Sequence, residues 1–220
     1  MLQTTTLQFL KNLKKNNNKP WFDDHRKVYE NAKTDFYQLI SAIITEIGKF
    51  DVSLSNLTAK DCTFRINRDV RFSKDKSPYK TNMGASFNIG GKKLQSAGYY
   101  FHLEPGKSFI GGGLYMPMPP LLAKVRQEID YNFDDWKKIV ENKTFTTSFK
   151  KGIDGIDYLI RPPKGYEETN PAISYLKMKN FIVSKSLTDK DLVDKNLKKE
   201  IVKTFQTMKP FINFLNRGME

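Results

Sequence analysis

The apolar residues change their period twice along the chain, from helical to strand-like and back, and few fold classes tolerate that order. Leu7, Leu10 and Leu13 recur every three residues and stop at Asn16-Asn17-Asn18-Lys19-Pro20. Val28, Ala32, Phe36, Leu39, Ile40, Ile43, Ile44 and Ile47 then form one stripe. This stripe predicts a long helix, capped by Asp23 or Asp24 and ended at Gly48. From Cys62 the period falls to two. Cys62, Phe64 and Ile66 share one face of a predicted strand, and Thr63, Arg65 and Asn67 share the other. Ala85, Phe87 and Ile89 alternate in a second strand, followed by a turn at Gly90-Gly91. Tyr99, Phe101 and Leu103 alternate with Tyr100, His102 and Glu104, and Glu104-Pro105-Gly106-Lys107 predicts a hairpin with its return strand over Ser108 to Tyr115.

Past Pro117, Pro119 and Pro120 the helical period returns. Helices are expected over Leu121 to Ile129 and Phe133 to Val140, with irregular chain over residues 143–170. A strand at Phe181 to Ser186 leads to a capping signal at Thr188-Asp189 and a final helix presenting Ile201, Phe205, Met208, Ile212 and Leu215. The order is α+β: a central antiparallel sheet with helices from both chain ends packed on one face, in a single domain over residues 1–220.

Composition limits function. Hydrophobic residues make up 39% of the chain and aromatic residues 13%, enough for a packed core. No apolar run reaches the roughly 18–20 residues that span a bilayer, so no membrane is expected as a partner. The single cysteine, Cys62, excludes an internal disulfide framework and a Cys-based zinc finger. Met1 to Thr6 lack the basic and apolar regions of a secretory signal. Together these point to the cytoplasm.

The net charge of +13 is carried mostly by lysines spread over the whole chain, which reads as generic basic surface. Arginine is different. Three of the seven arginines, Arg65, Arg68 and Arg71, fall within seven positions. Arginine presents a planar fork of donors that fits carboxylate and phosphate oxygens, which lysine does not reproduce. The run from Arg65 to Thr81 carries six cations (Arg65, Arg68, Arg71, Lys74, Lys76 and Lys80) against Asp69 and Asp75, with hydroxyls at Ser73, Ser77, Tyr79 and Thr81. A loop of this composition is able to surround an anion. The competing reading is structural, with Asp69 and Asp75 pairing the arginines to order a long connection.

The run Phe64 to Thr81 resembles the signature of the family of proteins with domain of unknown function 2461. Asn17-Asn18-Lys19-Pro20-Trp21-Phe22 is similar to its opening motif, and Gly98 to Gly106 with Gly111 to Leu114 is similar to its central hairpin. Leu187-Thr188-Asp189 and Met208-Lys209-Pro210 resemble its end. The resemblance covers nearly the whole chain. It implies one family domain and brings no activity, substrate or cofactor with it.

The expected site is a composite pocket for a phosphate- or carboxylate-bearing small molecule. Arg65 and Asn67 project from the polar sheet face beside Tyr100, His102 and Glu104. The loop bearing Arg68, Arg71, Ser73, Lys74, Lys76, Tyr79 and Lys80 folds over them, and Gly112 leaves room. If chemistry occurs, the arginines stabilise charge and His102 or Glu104 moves a proton. The bland reading of His102 is a sheet-surface histidine. His25 and His102 do not make a metal site by themselves, and no metal is expected. Gly111-Gly112-Gly113 lacks the spacing of a dinucleotide fingerprint, and no motif identifies a cofactor. Trp21 and Phe22 read as a staple between the first helices. The alternatives are a nucleic-acid-binding protein using basic helices with Lys11, Lys14, Lys15, Lys195, Lys198 and Lys199, or a partner-binding scaffold without chemistry. Oligomeric state is not readable.

Overall fold

A computed structural model describes residues 1–91 and 95–219 and has the α+β order. Strands β1 (Met83–Phe87), β2 (Gly98–Leu103), β3 (Phe109–Leu114) and β4 (Phe181–Ser186) form one antiparallel sheet in the order β1-β2-β3-β4. The chain divides into two compact units. The first comprises Met1–Lys92, Tyr100–Ile110 and Ser186–Lys203, and the second Lys93–Tyr99, Gly111–Lys185 and Thr204–Glu220.

In the first unit, helix α1 (Thr4–Lys15) buries Leu7, Leu10 and Leu13 as the leucine spacing predicts. Short helix α2 (Lys19–Asp24) is capped by Asn18, whose side chain accepts from Trp21 N. Helix α3 (Arg26–Ile47) follows, with His25 at its N-cap. Neither Asp23 nor Asp24 is therefore the cap expected from the sequence; both lie within α2, and Asp23 pairs with Lys19 and Arg26. The buried stripe of α3 begins at Ala32, while Val28 is 42% exposed. Phe22 fills that end of the core instead, with its ring against Phe9 and Tyr29. Phe36 stacks on Phe101 of β2 at 6.0 Å. Burying a ring of this size contributes about 2–3 kcal/mol.

The strand expected over Cys62 to Asn67 does not form. Thr58 and Asp61 make a reciprocal capping box that draws Ala59–Cys62 into helix α4. Pairing survives only as isolated bridges from Thr63 to Ala85 and from Asn67 to Tyr79. Phe64 is then 44% exposed, while Thr63 joins Cys62 and Ile66 inside. A local cap has overridden the period of two.

In the second unit, α5 (Pro119–Tyr131), α6 (Phe133–Val140) and β4 lie where the sequence predicts. The buried Trp136 ring lies within 6 Å of those of Phe181, Phe211 and Phe214. The irregular stretch hides one element, α7 (Lys143–Ser148). Its Thr-rich sequence has poor helix propensity, and the Asn142 cap sustains it. Among the described residues no helix is long and apolar enough to cross a membrane.

The glycines of β3 are packing positions. A Cβ on Gly112 would stand 2.7 Å from Met208 Sδ and 2.8 Å from the Gly98 oxygen, so that space is filled by protein rather than kept for a ligand. Gly113 has φ +124° and its Cβ would lie 1.9 Å from the Phe181 oxygen. Gly113→Ala combines a disfavoured conformation with a backbone clash, and it is expected to destabilise the fold by about 3 kcal/mol or more. Urea unfolding checks this.

Candidate functional site

The polar face of β2 follows from its apolar one. Phe101 and Leu103 are fully buried in the first unit, so Tyr100 and His102 must point the other way. There the Tyr100 hydroxyl lies 3.0 Å from His102 Nδ1, and His102 Nε2 lies 3.4 Å from Glu104 Oε2. Lys14 Nζ, at the end of α1, stands 3.8 Å from Glu104 Oε1. Phe109 stacks under the imidazole at 4.8 Å. A Cβ on Gly84 would lie 2.5 Å from the Tyr100 oxygen, so only glycine lets that hydroxyl lie where it does.

Burial lowers the His102 pKa, and the Glu104 carboxylate only partly offsets it. The imidazole is therefore neutral at pH 7. A carboxylate accepts, so the ring proton sits on Nε2 and Nδ1 accepts from the Tyr100 hydroxyl. The result is a hydrogen-bonded chain from phenol through imidazole to carboxylate.

The arginine-rich run is held largely by itself. Residues 66–80 form a narrow hairpin, closed by Lys80 N to Ile66 O and Arg68 N to Pro78 O. The Arg68 guanidinium fills its interior, reaching Asp75 at 2.5 Å, the Ser77 oxygen at 3.0 Å and Ser73 Oγ at 3.3 Å. Hydrogen bonds from Ser77, joined by Arg68, pull the Asp75 pKa down to about 2. Arg71 grips Asp69 with a two-point fork at 3.0 and 2.7 Å. Lys76 donates to the Val70 oxygen, and Lys80 donates to the Arg65 oxygen while lying over the Phe64 ring. Tyr79 is buried, stacked on Phe22 at 3.9 Å, with Asn17 clamping both its backbone N and O. Asn67 is exposed at the bridge and Lys74 is exposed on the loop. Gly112 belongs to the second unit.

Arg65 goes elsewhere. It lines a cavity of about 240 Å³ together with Tyr29, Lys33, Phe36 and Tyr37 of α3, Lys60 of α4, and Thr63, Phe64, Ile66 and Met83. Three cations line this cavity, and none of its lining residues is a carboxylate. Lys33 Nζ is held by Glu30 at 3.2 Å and lies between the Tyr29 and Tyr37 rings, 5.9 and 5.8 Å from their centroids. Burial pushes the Tyr29 pKa up to about 12, so its hydroxyl remains a proton donor at any physiological pH. A larger depression beside it, about 560 Å³, is lined by α3 residues alone and is one side of a helix.

Phe64 joins the two arrangements: it lines the cavity, and its ring meets Tyr100 edge-on at 6.5 Å. Of the residues singled out from the sequence, Arg65 lines the cavity and Tyr100, His102 and Glu104 lie together on β2 and its turn, while Lys33, Lys60, Tyr29 and Tyr37 of the cavity lining were not singled out. The only available signal was the four-residue spacing of Tyr29, Lys33 and Tyr37, one stripe of α3. Among the described residues no three His, Cys, Asp or Glu side chains group as metal ligands would.

A family model described as Conserved hypothetical protein (DUF2461) matches residues 5–214. No curated protein and no solved structure matches the chain.

The neutral His102 makes stability depend on pH. The unfolded chain takes up the proton near the ordinary histidine pKa of about 6.5, and the folded chain only below that. Stability should therefore fall as pH drops below about 6.5 and level off below the folded pKa. His102→Gln should remove that part of the slope in urea unfolding series; an unchanged slope contradicts the assignment.

Proposed function

From the premise that the chain belongs to the DUF2461 family, described only as conserved hypothetical proteins, we propose a function on geometry alone: the protein binds a small molecule bearing a phosphate or carboxylate. The proposed seat is the cavity lined by Lys33, Lys60 and Arg65. One observation carries the reading: three cationic side chains and no carboxylate line a single cavity of about 240 Å³. An anion in the cavity is attracted by each of the three cations. Arg65 offers the fork, the lysines offer point charges, and Tyr29 offers a hydroxyl that stays protonated. The rings of Tyr29, Tyr37 and Phe64 suit an apolar or planar portion of the ligand.

Relative to the composite pocket read from sequence, the anion's proposed partners shift from the Arg68–Lys80 loop to α3 and α4. The loop's own carboxylates already occupy Arg68 and Arg71.

A second reading, that the protein is an enzyme moving a proton, is favoured by the chain from Tyr100 through His102 to Glu104. Phe64 places that chain next to the proposed seat. In this reading Tyr100 is the group presented to the ligand, and His102 and Glu104 tune it.

Calorimetric titration of small phosphate and carboxylate compounds tests the first reading. Losing a charge-assisted bidentate contact corresponds to about 1.5–3 kcal/mol. Arg65→Ala should therefore weaken binding about tenfold to a hundredfold, with Arg65→Lys in between. Ligands whose affinity is untouched by both Arg65→Ala and Lys60→Ala would remove the cavity from the account.

A further inference from the structure

The internally paired loop ends in a feature that the cavity does not explain. Phe72 stands at its tip and is 95% exposed. The loop beneath it is braced, with Arg68 bonded to Asp75, Ser73 and the Ser77 oxygen, and Lys76 bonded to the Val70 oxygen. The Arg71 guanidinium, fixed by Asp69, lies 5.8 Å from the Phe72 ring centroid. The two acids of the loop are thus matched by Arg68 and Arg71. Among the described residues neither Lys74 nor Lys76 pairs with a carboxylate, so the two lysines give the loop that carries the ring an excess of positive charge.

The geometry points to a binding site for single-stranded nucleic acid, in which an unpaired base stacks on Phe72 and adjacent phosphates contact Lys74 and Lys76. An exposed aromatic face with an arginine over it and lysines on the same loop is the combination that stacks a base and follows a phosphate backbone. Bases in a duplex are already stacked, so one projecting ring suits an unstacked strand. Bracing lowers the entropy lost when the loop is engaged. The chain's net charge of +13 favours encounter with a polyanion. A lipid surface is the weaker match, because Phe72 is the only large apolar side chain exposed between Arg68 and Pro78, and stable membrane binding requires more buried apolar area. The inference does not depend on the Arg65 cavity.

The test is fluorescence anisotropy of a labelled fifteen-nucleotide thymidine strand, with an abasic strand of the same length as control. Phe72→Ala should bind the thymidine strand about tenfold more weakly, a change of about 1.4 kcal/mol. Phe72→Trp should bind it like the wild type. Binding of the abasic strand should not respond to position 72. Replacing Lys74 and Lys76 with Gln should flatten the slope of log affinity against log salt by about 1.4, from two phosphate contacts at about 0.7 each. Arg65→Ala should leave the dependence on Phe72 intact, which separates this site from the cavity. Equal affinity of wild type and Phe72→Ala for the thymidine strand would overturn the inference. So would wild-type protein that does not distinguish thymidine from abasic strands. The same holds if Phe72→Ala abolishes co-sedimentation with phosphatidylserine vesicles while oligonucleotide binding is unchanged.

Discussion

The alternation of side chains along β2 is the constraint on which the site depends. Phe101 and Leu103 are buried, and Phe101 lies against Phe36 of α3. With those residues committed to the core, the pleat leaves Tyr100, His102 and Glu104 no choice of side. A slip of one residue would drive a histidine and a carboxylate into an apolar core and expose two large apolar side chains, so the register is strongly held. The hydrogen-bonded chain from Tyr100 to Glu104 is therefore a consequence of core packing. Gly84 on the neighbouring strand completes it by leaving space for the phenol oxygen.

The clustered arginines divide by role. Arg71 and Asp69 are both well exposed, and a pair of that kind contributes little to stability. Arg68 is only 25% exposed at its side chain and reaches three separate acceptors, so it holds the hairpin in one shape. Arg65 is the one that faces a cavity with other cations. Three arginines within seven positions thus serve a brace, a fork near the tip and a cavity wall. The brace fixes the loop through its own side chains.

Much of this was legible in the sequence where a period ran long. The leucines of α1, the α3 stripe from Ala32 onward, the alternation of β2 and the buried side of the last helix (Leu197–Arg217) appear as read, because burying a repeated face leaves little freedom. Short segments were less legible. At Cys62 a four-residue cap competed with a six-residue alternation and prevailed, which turned Phe64 outward. At Lys143 one asparagine cap outweighed poor propensity. The candidate site was half legible. Residues sharing a strand face, such as Tyr100 and His102, follow from spacing alone. Lys33 and Lys60 lie on helices far from Arg65 in sequence, and only the packing of α3 and α4 brings them to the same cavity. The self-pairing of Asp69 and Asp75 depends on where a hairpin closes, which composition does not encode.

The central claim is that Arg65, Lys60 and Lys33 together form the anion's seat. A proton–nitrogen NMR titration with inorganic phosphate tests it most directly, since it reports on every region of the chain at once. The account predicts saturable shifts concentrated at Lys33, Tyr37, Lys60 and residues 63–66. Shifts spread evenly over the surface lysines, or confined to the loop around Arg68 and Arg71, would contradict it.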